Sequence, residues 1–138
     1  PSTEERKMRT RLIPHAEWFP FFQGFTRRHP GSPATVWLLG PQLGAQVQAR
    51  DLPLEAIIAD PLATTITIQL GGLVGRNVEH PVPQPIAVWE ELTEEGDEKA
   101  LGINSADGTT TLVEFREPIS TGIVLPVAPE AAEGNVAG

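Results

Sequence analysis

The chain has no cysteine, no tyrosine, a single methionine and only eight aromatic residues in 138. Without cysteine there are no disulfides, no thiolate metal sites and no cysteine nucleophile. Cations are scarce as well: ten Lys and Arg stand against eighteen Asp and Glu, for a net charge of −8. A body this acidic repels nucleic acid and anionic membrane surfaces. No apolar run approaches the roughly 20 residues that a bilayer-spanning helix needs. Residues Pro1 to Lys7 are charged where a signal peptide would carry its apolar stretch. The expected location is the cytoplasm.

Proline and glycine are plentiful, at 14 and 13, which favours short elements joined by many turns. The length suits one domain with a sizeable core. Five of the eight aromatics, Trp18, Phe19, Phe21, Phe22 and Phe25, crowd into one window. Trp18, Phe21, Phe22 and Phe25 follow the i, i+3, i+4, i+7 spacing that puts apolar groups on one face of a helix, and they are its expected core side chains. Pro14 suits the start of that helix, Arg27, Arg28 and His29 complement its negative end, and Pro30-Gly31 stops it. Pro20 requires that the helix start late enough to hold it in the first turn, or kink there.

After Gly31 the period changes to alternation. Strands are expected at 35–39, 45–49, 55–60, 65–70, 77–80, 86–92, 100–104 and 109–116. Within 65–70, Ile66, Ile68 and Leu70 alternate with Thr65, Thr67 and Gln69, so one face is buried and the other wet. Asp107-Gly108 between the last two segments is a hairpin signal, because both residues tolerate positive φ. The expected fold is mainly β, an antiparallel β-sandwich or small β-barrel with one N-terminal amphipathic helix, and so α+β. The expected organisation is a basic arm at 1–12, one β-rich domain at 13–116 and a C-terminal tail at 117–138.

The chain's candidate chemical motifs each have a structural explanation. Ser105-Ala106-Asp107-Gly108-Thr109 resembles the phosphatase signature of the haloacid dehalogenases, but Ser105 stands where their carboxylate nucleophile belongs, so the segment reads as a turn. Gly71 to Arg76 is rich in glycine, yet no helix pattern opens behind it to bind an anion, and a long hairpin loop is expected. His15, His29 and His80 have no metal-ligand spacing, and no Gly-x-Ser-x-Gly elbow is present. The acidic run Glu90 to Glu98 lacks the order of a calcium loop and reads as a solvated hairpin tip. No cofactor is expected.

The segments Ile13-Pro14-x-x-Glu17-Trp18-x-x-Phe21-Phe22, Leu39-Gly40-Pro41-Gln42-Leu43-Gly44-Ala45-Gln46-Val47, Leu52-Pro53-Leu54-Glu55 and Asn104-Ser105-Ala106-Asp107-Gly108-Thr109-Thr110-Thr111-Leu112-Val113-x-Phe115 carry a resemblance. Over about residues 12–116 the chain resembles a bacterial family of small uncharacterised proteins, a domain of unknown function. The resemblance implies a single compact domain and no particular activity.

Charge layout gives the remaining lead. Residues 1–30 carry net +3 and the rest −11. The expected role is non-catalytic, a protein-interaction module or accessory subunit that meets another protein through its tails. Arg6, Lys7, Arg9 and Arg11 would face an acidic partner surface, and Ile123, Val124, Leu125 and Val127 would add to a sheet edge or fill a groove. The alternative arrangement lays the basic arm on the chain's own acidic body near Glu90 to Glu98. A competing role is small-molecule binding in a barrel mouth or sheet–helix crevice lined by Trp37, Trp89 and part of the aromatic window. An enzyme ranks third.

Overall fold

Hydrophobic alternation and turn chemistry resolve into eight strands and one helix in the computed structural model, which describes residues 9–28, 31–60, 62, 64–71 and 77–119. In chain order these are β1 (Arg9–Ile13), α1 (Trp18–Arg28), β2 (Pro33–Gly40), β3 (Gly44–Ala59), β4 (Thr65–Gly71), β5 (Asn77–Pro83), β6 (Pro85–Leu92), β7 (Glu98–Ser105) and β8 (Thr110–Ile119). All pair antiparallel in one sheet, in the order β1-β6-β7-β8-β2-β3-β4-β5. The mainly β, α+β class with an N-terminal amphipathic helix is therefore as the sequence indicates. In place of a sandwich or barrel there is one open sheet, and among the described residues no ladder joins β1 to β5. The helix supplies the second layer.

β3 explains why the sheet stays single. The two segments expected at 45–49 and 55–60 are one sixteen-residue strand. Its first part pairs with β2 as far as Pro53, and its second part pairs with β4 from Leu54 onward. Asp51, at φ 53°, bends the strand between these partners and donates its N–H to Thr35 Oγ1 at 3.1 Å. A bend with a tethered backbone continues the strand where the sequence suggests a break.

Beyond Leu54, β3 has lost β2 as a neighbour, and α1 covers the exposed edge. Thr26 Oγ1 accepts the N–H of Ile57 at 3.1 Å and donates to its carbonyl at 3.3 Å. Leu54 is satisfied by the α1–β2 connection, through Gly31 N–H and the Ser32 carbonyl. Backbone groups that would invite another strand are thus occupied.

The helix begins from a 3-10 turn at His15–Glu17, with Pro20 in the first turn of α1, where a missing N–H is tolerated. Trp18, Phe22 and Phe25 are buried in the core, and Phe21 packs beside it. The Phe25 ring stacks on Phe115 with centroids 5.6 Å apart. Trp18 Nε1 donates to the Ile13 carbonyl at 2.9 Å, which fastens the helix start to the end of β1. Ile66, Ile68 and Leu70 are fully buried beneath, as their alternation requires.

β1 begins within the arm expected at 1–12. Residues 9–13 lie within the sheet as its edge strand, paired with β6 from Arg9↔Leu92 to Ile13↔Val88. Hydropathy alone hides this strand because its inward side chains include Arg11, whose partner is on another strand.

Candidate functional site

Strand pleating sends alternate side chains to opposite faces, so the cross-strand register shows what the sheet presents on the side away from α1. One row stands out. Leu12 is opposite Trp89, Trp89 opposite Gly102, Gly102 opposite Leu112, Leu112 opposite Trp37, and Trp37 opposite Val47. Six adjacent strands thus place one apolar or glycine residue each in a line about 24 Å long, at the usual spacing of about 4.8 Å per strand. Leu12 is 68% exposed, and Trp89, Leu112, Trp37 and Val47 are half-buried.

Both indoles in the row are held in place. Trp89 Nε1 donates to Asn104 Oδ1 at 2.8 Å, and Trp37 Nε1 donates to Glu114 Oε1 at 3.2 Å. Gly102 is a seat, since a Cβ there would enter the volume of the Trp89 six-membered ring. The row on one flank contains Thr10, Glu91, Ala100, Glu114 and Thr35, and the row on the other Ala87, Asn104, Thr110, Leu39 and Ala45. The ionisable side chains flanking the indoles are therefore both carboxylates, Glu91 and Glu114. Arg116, further along β8, is paired with Asp51 at 3.3 Å.

Beneath this face, on the α1 side, β6 and β7 carry a second polar feature. Glu90 is 2% exposed and Glu98 1%. Arg11 of β1 grips Glu90 Oε2 with both Nε and Nη2, each at 2.8 Å. Arg28 Nη2, at the end of α1, reaches Glu98 Oε2 at 3.2 Å and Oε1 at 3.5 Å. Each guanidinium also lies over a ring of the helix, Arg11 at 6.0 Å from Phe21 and Arg28 at 5.8 Å from Phe25. Burial, then the hydrogen bond and charge of the adjoining Glu90, push the Glu98 carboxyl up to about 8 against the pull of Arg28. The acidic run read as a solvated tip is solvated only in its middle, at Glu94 and Glu95, while Glu90 and Glu98 are buried.

Of the expected partner-contacting residues, Arg9 and Arg11 lie on β1, with Arg11 engaged by Glu90. Arg6, Lys7, Ile123, Val124, Leu125 and Val127 lie outside the described residues. Trp37 and Trp89 are on the outer face and the core aromatics of α1 on the inner one, so they do not line a common cavity. A separate groove of about 460 Å³ runs between α1 and β3, over Phe22 and Ile57, with Phe19 and Ile58 exposed and Arg27 contributing its cation. His15 packs against Trp18, with ring centroids 4.3 Å apart. His80 sits on β5, where burial holds it below its ordinary value. His29 lies outside the described residues. Among the described residues no group of three or more His, Asp or Glu is placed to hold a metal ion, and no helix is long and apolar enough to cross a membrane.

The apolar outer side of β2 was within reach of sequence reading, although the row as a whole was not. Val36-Trp37-Leu38-Leu39 is apolar without alternation, the mark of a strand covered on both faces. Likewise Val88-x-Glu90 puts Glu90 in phase with a core valine.

The chain belongs to DUF5335, a family of unknown function whose model matches residues 9–123. No curated protein and no solved structure matches it.

Proposed function

We propose that this DUF5335 domain is a non-catalytic protein-interaction module or accessory subunit, and that its contact face is the row from Leu12 to Val47. The family brings no activity with it, so the reading rests on one observation: six strands align five apolar side chains and Gly102 across the face that α1 leaves uncovered. Tryptophans held by hydrogen bonds to their own sheet are rigid anchors that lose little entropy on binding. A contiguous apolar strip of this kind on a protein surface marks an interaction site. Because Glu91 and Glu114 flank it, the fitting partner is a protein segment with apolar or aromatic side chains flanked by Lys or Arg.

Selection of a displayed random-peptide library on the domain tests this. Enriched peptides should combine aromatic or aliphatic residues with flanking Lys or Arg, and should bind Leu12→Lys and Glu91→Lys at least tenfold more weakly. Both positions lie on the outer face, Leu12 well exposed, so folding should be preserved. Peptides without that composition, or equal binding to both variants, would overturn the reading. Self-association that Leu12→Lys abolishes would make a second copy the occupant and overturn the choice of a basic segment.

The groove between α1 and β3 favours a second reading, small-molecule binding. Its apolar lining and single cation, Arg27, suit a small anionic amphiphile. Titration with dodecanoate, monitored at the amides of Gln23, Thr26 and Ile58, checks it, and no saturable shift would dismiss it.

A further inference from the structure

The polar cluster beneath β6 and β7 lies apart from the outer face, on the α1 side. Two carboxyl groups in hydrogen-bonding contact, each at least 98% buried, cannot both carry a full charge without strong mutual repulsion in a poorly solvated site. The hydrogen-bond inventory supports the same conclusion. Arg11 spends both of its contacting nitrogens on Glu90 Oε2, and Oε1 of the same carboxylate receives no donor although it is fully buried. An unmet buried acceptor is costly. The carboxyl beside it, Glu98, meets that need when it carries a proton.

We propose that Glu90 and Glu98 hold one proton between them, and that this proton is a pH-sensitive catch securing the end of α1 and the β6–β7 turn to the sheet. Position explains why Glu98 is the moving part. It is the first residue of β7, directly after the Thr93–Asp97 turn. With the proton in place, Glu90 pairs with Arg11 and accepts from Glu98, and Glu98 remains inside under Arg28. Without it, two adjacent carboxylates repel, and Glu98, the one beside the turn, moves toward water together with the turn and the helix end.

The charged groups facing the pair come from every packed element that has one. β1 offers Arg11, with Arg9 further out on the same side, and α1 offers Arg28. The turn has Asp97 just before Glu98, and β7 has Lys99 just after it. β8 brings Glu117, exposed and two residues before Ile119, which pairs with Glu98, while its buried side chains Thr111, Val113 and Phe115 carry no charge. The raised affinity of Glu98 for its proton, close to 8, places the transition near neutrality, where a free glutamate has been ionised for several pH units.

Carbon-13 NMR of the glutamate side-chain carboxyls, with amide protection factors at pH 6 and pH 9, tests the catch in the full chain. Glu98 should titrate near 8, and protection at residues 26–28 and 93–99 should fall at least tenfold between the two pH values. Glu98→Gln keeps a donor for Glu90 but cannot ionise, so its protection factors should stay within twofold. If that variant fails to fold, Glu90→Gln serves instead, because removing the neighbouring charge should move the Glu98 titration to lower pH. Titration of both carboxyls below about 6, or the same loss of protection in Glu98→Gln, would overturn the proposal. So would an unmoved Glu98 titration in Glu90→Gln.

Discussion

The six-membered ring of Trp89 fills the space that a side chain on Gly102 would need, so β6 and β7 meet at this point as an indole laid against bare backbone. Gly102→Ala should displace the ring and break its 2.8 Å bond to Asn104. The cost of such overpacking is about 1–3 kcal/mol. Urea denaturation should show the loss, and a shift in tryptophan emission should identify the displaced ring.

Removing a core aromatic of α1 should cost more. Trp18→Ala or Phe22→Ala should lower stability by about 3–5 kcal/mol, since both side chains are almost fully buried. Chemical denaturation measures this directly, and a change within about half a kcal/mol would place the rings at the surface.

Thr26→Val preserves shape and removes both hydrogen bonds to Ile57. The Ile57 N–H would lose its partner at the edge of β3, at a cost of about 1–3 kcal/mol. Faster hydrogen exchange at Ile57, measured by NMR, is the specific sign, and unchanged exchange would contradict the edge-covering role of α1.

Arg11→Ala would leave the buried Glu90 carboxylate without its guanidinium. The expected loss is about 1–3 kcal/mol, the cost of stranding a buried polar group, kept modest because Arg11 is itself half exposed. Arg11→Lys should recover only part of it, since an ammonium cannot repeat the two-nitrogen grip. Thermal melts of the three proteins compare these effects.

Stability should also fall as pH rises. Glu98 has an ordinary value of 4.5 when unfolded and about 8 when folded, so the folded chain holds the extra proton between those limits. The stabilisation it contributes is complete below 4.5 and is lost as pH passes through about 8. Tm should therefore be lower at pH 9 than at pH 6, and Glu98→Gln should reduce that difference.

Elements governed by local spacing were legible in the sequence. The Trp18–Phe25 periodicity, the delayed helix start that accommodates Pro20 and the Asp107-Gly108 turn all depend on neighbours a few residues away, and each is found in place. What escaped depends on distant partners. The strand at Arg9–Ile13 was hidden, although the arrangement that lays the basic arm near Glu90 to Glu98 anticipated the contact of Arg11 with Glu90. Asp51-Leu52-Pro53 reads as a break until Thr35 secures the bend. The row from Leu12 to Val47 draws one residue from each of six strands, and only the pairing register brings them into line. The tails singled out for partner contact contributed Arg9 and Arg11 to the described structure, and Arg11 is turned inward.

Strand β3 gives the molecule no seam. Its first half completes the part of the sheet that carries Trp37 and Trp89, and its second half begins the part over Phe22, so neither half has a full set of neighbours without the other. Heat or denaturant should therefore dismantle the domain in one cooperative step, with tryptophan fluorescence and far-ultraviolet circular dichroism reporting the same midpoint.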